Sequence, residues 1–228
     1  MTTMTPERVF TDSQLHRRVI DELKWDSVVD ETDVGVEVDN HVVTLTGSVA
    51  SYAEKAAARD AVLRVAGVLD VANDVTVKIP GDMTKTDTDI AHAVRRALDW
   101  DVIVPSDKIK STVAQGWITL DGDVSTWRQR ADAERTVKNL AGVRGVVNRI
   151  RVVPAAADPE TVRTAIEDAL ERQAGREADR LSIRVRDGAL TLTGRVRSWY
   201  EKRAVMGAAS HAPGVSEVFD QIVVDPSF

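Results

Sequence analysis

The chain has 228 residues, 43% of them hydrophobic and 29% charged, which predicts a soluble folded protein of one or two domains' length. It has no cysteine, which excludes disulfides, thiolate metal sites and cysteine nucleophiles, and its formal net charge of −6 argues against general nucleic-acid binding. No apolar run reaches the roughly 18 residues of a membrane span, and polar residues 1–12 lack a hydrophobic signal core, so a cytoplasmic location is expected.

The elements come in chain order as one unit read three times. Leu15/Val19/Leu23 open the chain with the spacing of one helix face. Val34/Val36/Val38 then alternate as a half-buried strand does. Asn40-His41 marks a tight hairpin, and Val43-Thr44-Leu45-Thr46-Gly47-Ser48-Val49 forms the second strand. Tyr52 starts a second helix with the inner face Ala58/Val62/Val65, which Gly67 stops. Val68/Val71/Val75/Val77 make a last strand.

The second copy repeats this with Ile90/Val94/Leu98, Ile109/Ser111/Val113, Gln115-Gly116, Ile118 to Val124, Trp127, Gly142 and Val143/Val146/Ile150/Val152. The third offers Val162/Ile166/Leu170, Leu181/Ile183/Val185, Asp187-Gly188, Leu190 to Val196, Trp199, Gly214 and Val215/Val218/Ile222/Val224. Gly47, Gly122 and Gly194 are 75 and 72 residues apart, and the match runs without a gap from each.

The predicted fold class is therefore α+β: three tandem α-β-β-α-β domains, each a three-stranded mixed sheet with two helices packed on one face. The expected domains are residues 1–80 (core 12–79), 81–153 (core 87–153) and 154–228 (core 159–225), joined by Pro-containing linkers at 80–85 and 154–159.

The pattern resembles the BON domain, a module of bacterial osmotic-stress and nodulation proteins. The residues that carry the likeness are Val42 to Val49, Tyr52, and Gly67 to Val77, with their counterparts in the other copies. The resemblance implies a non-catalytic binding module, linked to osmotic or envelope stress, that associates with phospholipid or other partners. Many members of that family are exported; the polar start of this chain departs from that habit.

Glycine inside a strand is unfavourable, so Gly47, Gly122 and Gly194 predict a close approach by a helix backbone or an aromatic ring. Tyr52, Trp127 and Trp199 are the rings expected to lie over them, with a ligand slot beneath as the functional alternative. Trp25 and Trp100 end the first helices and are expected to plug a core edge or an interdomain seam, with a membrane interface as the alternative; Arg172 stands there in the third copy.

Alternation assigns residues to the sheet face opposite the helices. Copy one places Glu37, Asp39, Thr44, Thr46 and Ser48 there; copy two Lys110, Thr112, Trp117, Thr119, Asp121 and Asp123; copy three Arg184, Arg186, Thr191, Thr193, Arg195 and Arg197. The copies carry net charges of −6 (8 basic, 14 acidic), +2 (12, 10) and −2 (10, 12). Arg184, Arg186, Arg195 and Arg197 are the candidate site, for anionic lipid headgroups or for another protein, including a second copy of the chain. A solvated face is the plain alternative.

His16, His41, His92 and His211 occupy different repeat positions, and no metal-ligand, phosphate-loop or nucleophile motif is present, so no catalytic residue, cofactor or metal is predicted. Asp82, Asp87 and Asp89 lack calcium-loop spacing and read as linker and helix cap. The expected function is a non-catalytic stress-associated protein docking on anionic membrane lipid; the alternatives are a self-associating or protein-binding scaffold and a cation-responsive sensor.

Overall fold

The computed structural model describes residues 10–81, 84–153, 164, 181–186, 188–210, 212, 215 and 217–225. The helix expected around Val162/Ile166/Leu170, Arg172, and the third-copy glycine Gly214 lie outside the described residues.

Helix α1 (Asp12–Trp25) begins at Thr11, whose hydroxyl accepts from the Gln14 N–H while the Gln14 side chain accepts from the Thr11 N–H. Helix α3 (Asp87–Trp100) begins the same way, with Thr86 and Asp89. These reciprocal caps satisfy amide groups that the first helical turn leaves open. The predicted faces are the buried ones: Leu15, Val19 and Leu23 on α1, and Ile90, Val94 and Leu98 on α3. Helices α2 (Tyr52–Arg64), α4 (Trp127–Lys138) and α5 (Trp199–Ser210) start at the predicted aromatic of each copy.

Strands β1 (Val34–Asp39) and β2 (Val42–Val49) are antiparallel, with Val36 opposite Leu45. Copy two pairs β5 (Ile109–Ala114) with β6 (Trp117–Val124), and copy three pairs β9 (Leu181–Arg186) with β10 (Ala189–Val196), in the same sense. Positive φ at Asn40 (48°) and His41 (66°), and at Gln115 (53°) and Gly116 (78°), is the geometry of the two-residue turn that matches strand twist.

The last strand is parallel to the second in every copy, as a helical crossover requires. In copies one and two it is split, into β3 (Asp70–Asn73) and β4 (Thr76–Val77), and into β7 (Gly145–Asn148) and β8 (Arg151–Val152). The sequence reading expected one strand. Asn73 sits at the break: its Oδ1 accepts from the Val75 N–H, and its Nδ2 donates to the Lys55 carbonyl on α2. Asn148 makes the same pair with the Ile150 N–H and the Arg130 carbonyl. Copy three has Asp220 there, bound by the Ile222 N–H and by Lys202, and its strand β11 (Glu217–Val224) is continuous.

Each copy has its own aliphatic core, and the copies also touch. Tyr52 of copy one packs against the core of copy two. Trp199 of copy three donates its indole N–H to the Leu69 carbonyl of copy one at 2.7 Å, where α5 packs on α2. Copies one and three thus meet through their helical layers, which turns their open sheet faces away from each other.

Candidate functional site

Two kinds of surface stand out: the open sheet faces and the ends of the first helices. On the copy-three face, Arg184 opposes Thr191 and Arg186 opposes Ala189, and all four predicted arginines are exposed. Arg195 lies four residues along β10 from Thr191, about 13 Å at strand rise, and meets Asp225 at 3.5 Å. The main-chain N–H of Arg197 donates to the Glu201 carboxylate. The four therefore form two pairs along one face. Phe219, opposite Thr191, and Val223, opposite Arg195, are 46% and 56% exposed between them.

The copy-one face has the opposite sign. Glu37 and Asp39 on β1 and Asp70 on β3 flank Val42, Thr44 and Ala72, and Asp74 follows β3. The middle copy balances itself: Arg151 holds Asp123 with two contacts of 2.8 and 3.0 Å, and Lys110 stands opposite Asp121. Trp117, half-exposed, lies over Gly145, where a Cβ would strike its ring.

Trp25 and Trp100 do not plug a seam. They are 87% and 90% exposed, and the loop after each carries exposed apolar residues: Val28, 51% exposed, between Asp26 and Asp30 in copy one, and Val102 and Ile103, 100% and 36% exposed, in copy two. The carboxylate after each Trp shapes that loop. Asp26 accepts from the Val28 N–H and from Arg64; Asp101 accepts from the Ile103 N–H and the Thr136 hydroxyl. The Ile103 N–H, above all, holds the Asp101 carboxyl below the usual carboxylate range. A cleft of about 680 Å³ runs beside Trp100, lined by Arg96, Ala97, Val102, Ile103 and Thr136. The sequence reading missed Asp26 and Asp101, although both directly follow the repeated Trp.

The glycine slot is not a ligand site in copies one and two. A Cβ on Gly47 would lie 2.1 Å from the Asp33 carbonyl oxygen, and one on Gly122 equally close to that of Lys108. The approaching group is the carbonyl that ends a short 3-10 helical turn just before the first strand, Glu31–Asp33 in copy one and Ser106–Lys108 in copy two, so it is a helix backbone and not an aromatic ring that comes close. Positive φ at Gly47, Gly122 and Gly194 demands glycine as well. Tyr52 and Trp199 serve the joints between copies instead, while Trp127 packs on the core of copy two with a buried, unbonded indole N–H. Among the described residues no cluster of three His, Asp or Glu side chains suits a metal, and no helix is long and apolar enough to cross a membrane.

Three tandem copies of one small α+β unit define a repeat-domain architecture. The family model of the BON domain matches residues 11–79, 86–154 and 158–226, and the chain belongs to that family. It is 31% identical over 127 residues to osmotically-inducible protein Y of Escherichia coli (strain K12); the match covers 54% of this chain and 63%, less than two thirds, of that protein. Among solved structures, CdsD, a structural protein of the type III secretion system of Chlamydia trachomatis, aligns over 92% of this chain and 91% of its own at 15% identity, with a TM-score of only 0.25.

Proposed function

We propose that the protein is a non-catalytic, stress-associated module that docks on anionic membrane surfaces through the apolar tips of its first two copies. The observation that carries this reading is the duplicated, solvent-facing Trp25–Val28 and Trp100–Ile103 loops. An exposed indole on a rigid turn is costly in water and is favoured at the headgroup level of a bilayer, where its ring is apolar and its N–H stays wet. Two such tips on one chain raise avidity beyond that of either alone. Arg96 at the rim of the Trp100 cleft supplies a cation for a phosphate. The association with osmotic stress rests on the likeness to osmotically-inducible protein Y.

The test is co-sedimentation with phosphatidylglycerol-containing vesicles and with neutral vesicles. The full chain should pellet with the first, and W25A/W100A should lose most of that binding without loss of helical signal. Equal binding by the double variant, or none by the wild type, ends the reading.

A further inference from the structure

We propose that the chain associates head to tail with itself, the arginine face of copy three seating on the acidic sheet face of copy one in a second molecule.

The two outer faces are built alike and charged oppositely. Copy three surrounds exposed Phe219 and Val223 with Arg184, Arg186 and Arg195, with Glu217 at one corner. Copy one surrounds Val42 and Ala72 with Glu37, Asp39, Asp70 and Asp74, with Lys78 at the far end. Among the described residues, no ion pair engages Arg184 or Arg186, and none engages those four carboxylates. The middle face holds Asp123 on Arg151 at 2.8 Å, and on copy three Arg195 meets Asp225 at 3.5 Å, so the proposed contact rests on Arg184 and Arg186. A face whose charges are meant only for water needs no such division between copies. Opposite charge on matched surfaces sets register and speeds encounter.

The faces cannot meet within one molecule. Copies one and three contact through α2 and α5, where Trp199 binds Leu69 and Arg203 approaches Asp60 at 3.5 Å, so both sheets look outward. Pairing is therefore between chains, and a contact of unlike faces propagates unless it closes into a ring. Three strands about 4.8 Å apart and about 26 Å long give a footprint near 400 Å², so the contact is weak and sensitive to salt.

Sedimentation velocity of the full chain over a wide concentration range tests this. At low salt the average mass should rise with concentration, and at high salt the association should weaken at least about tenfold. R184Q/R186Q and E37Q/D39N should each weaken it to a similar degree, whereas R184K/R186K should retain most of it. Mixing the two neutralised variants leaves one good face on each, so they should form a complex that stops at two chains. A wild type that stays monomeric at low salt overturns the proposal, as does undiminished association of R184Q/R186Q or a mixture that forms no pair. Loss of anionic-vesicle binding by R184Q/R186Q from a chain that never self-associates also overturns it and assigns the arginines to the membrane.

Discussion

The Trp199 indole N–H and the Leu69 carbonyl, 130 positions apart, share a 2.7 Å hydrogen bond that ties the third copy to the first. Nearby, Arg203 and Asp60 are 3.5 Å apart and both solvent-accessible. An exposed ion pair contributes little, whereas a large ring with a directed hydrogen bond contributes more. W199F should cost about 1 kcal/mol through the lost hydrogen bond, and W199A more through lost contact. D60N should change stability by less than about 0.5 kcal/mol. In small-angle scattering, W199A should enlarge the radius of gyration while D60N leaves it unchanged. An unaltered radius in W199A would show that this joint does not hold the copies together.

The first residue of each described first helix clamps the hairpin of its own copy. The Asp87 carboxylate accepts from the Gln115 and Gly116 N–H groups at 2.8 Å each, and that of Asp12 from the Asn40 and His41 N–H groups at 3.0 Å each. The sequence places Pro159 at this position in copy three, so that copy lacks the carboxylate. Removing a charged acceptor from two backbone donors costs about 1–3 kcal/mol. D87A and D12A should each lower the melting temperature, and amide exchange should accelerate first at the turn of the copy that was changed. Exchange rising uniformly over all three copies would argue against a local clamp.

Glycines in this chain divide by what a methyl group would meet. At Gly47 and Gly122 it would strike a carbonyl oxygen, and φ is 115° and 142°. At Gly207, inside α5, it would meet nothing within 4 Å. G47A and G122A should therefore destabilise by more than about 2 kcal/mol, because neither clash nor backbone strain can relax cheaply. G207A should stabilise by about 0.5–1 kcal/mol, through helix propensity. Urea unfolding of the three variants distinguishes them, and a neutral G47A would contradict the close approach of the Asp33 carbonyl.

Much of this architecture was legible because the two periods, 3.6 for helices and 2 for strands, repeat in register. Leu15/Val19/Leu23 and Ile90/Val94/Leu98 are buried as read, and alternation put Glu37 and Arg184 on open faces. What escaped the sequence depends on contacts far apart in the chain. Tyr52 and Trp199 occupy one repeat position, yet their partners lie in other copies, and no local pattern encodes how copies are set against each other. The exposure of Trp25 and Trp100 escaped for the same reason: an aromatic at a helix end signals a boundary, not what lies beyond it. The last strand is split at Asn73 and Asn148 but not at Asp220, although all three side chains accept the N–H two residues on. The motif showed the asparagine but not its geometry.

Acid should weaken the protein through carboxylates held by caps and turns. The Thr86 hydroxyl, followed by the Thr86 N–H, holds the Asp89 carboxyl below its ordinary range; the Thr32 hydroxyl and N–H do the same for Asp30. Asp101 is lowered chiefly by the Ile103 N–H, against an opposing effect of burial. A folded-state value below the unfolded one, which is about 3.9 for Asp, means the folded chain holds its protons less tightly. The stabilisation is complete above the unfolded value and disappears as pH falls through the folded one. The melting temperature should thus change little on this account from neutral pH to about 5 and fall below about 4. D89N and D101N should melt lower than wild type at neutral pH, and the gap should narrow as the wild type becomes protonated. A gap that stays constant down to strongly acid pH would mean that these carboxylates act through shape and not through their charge.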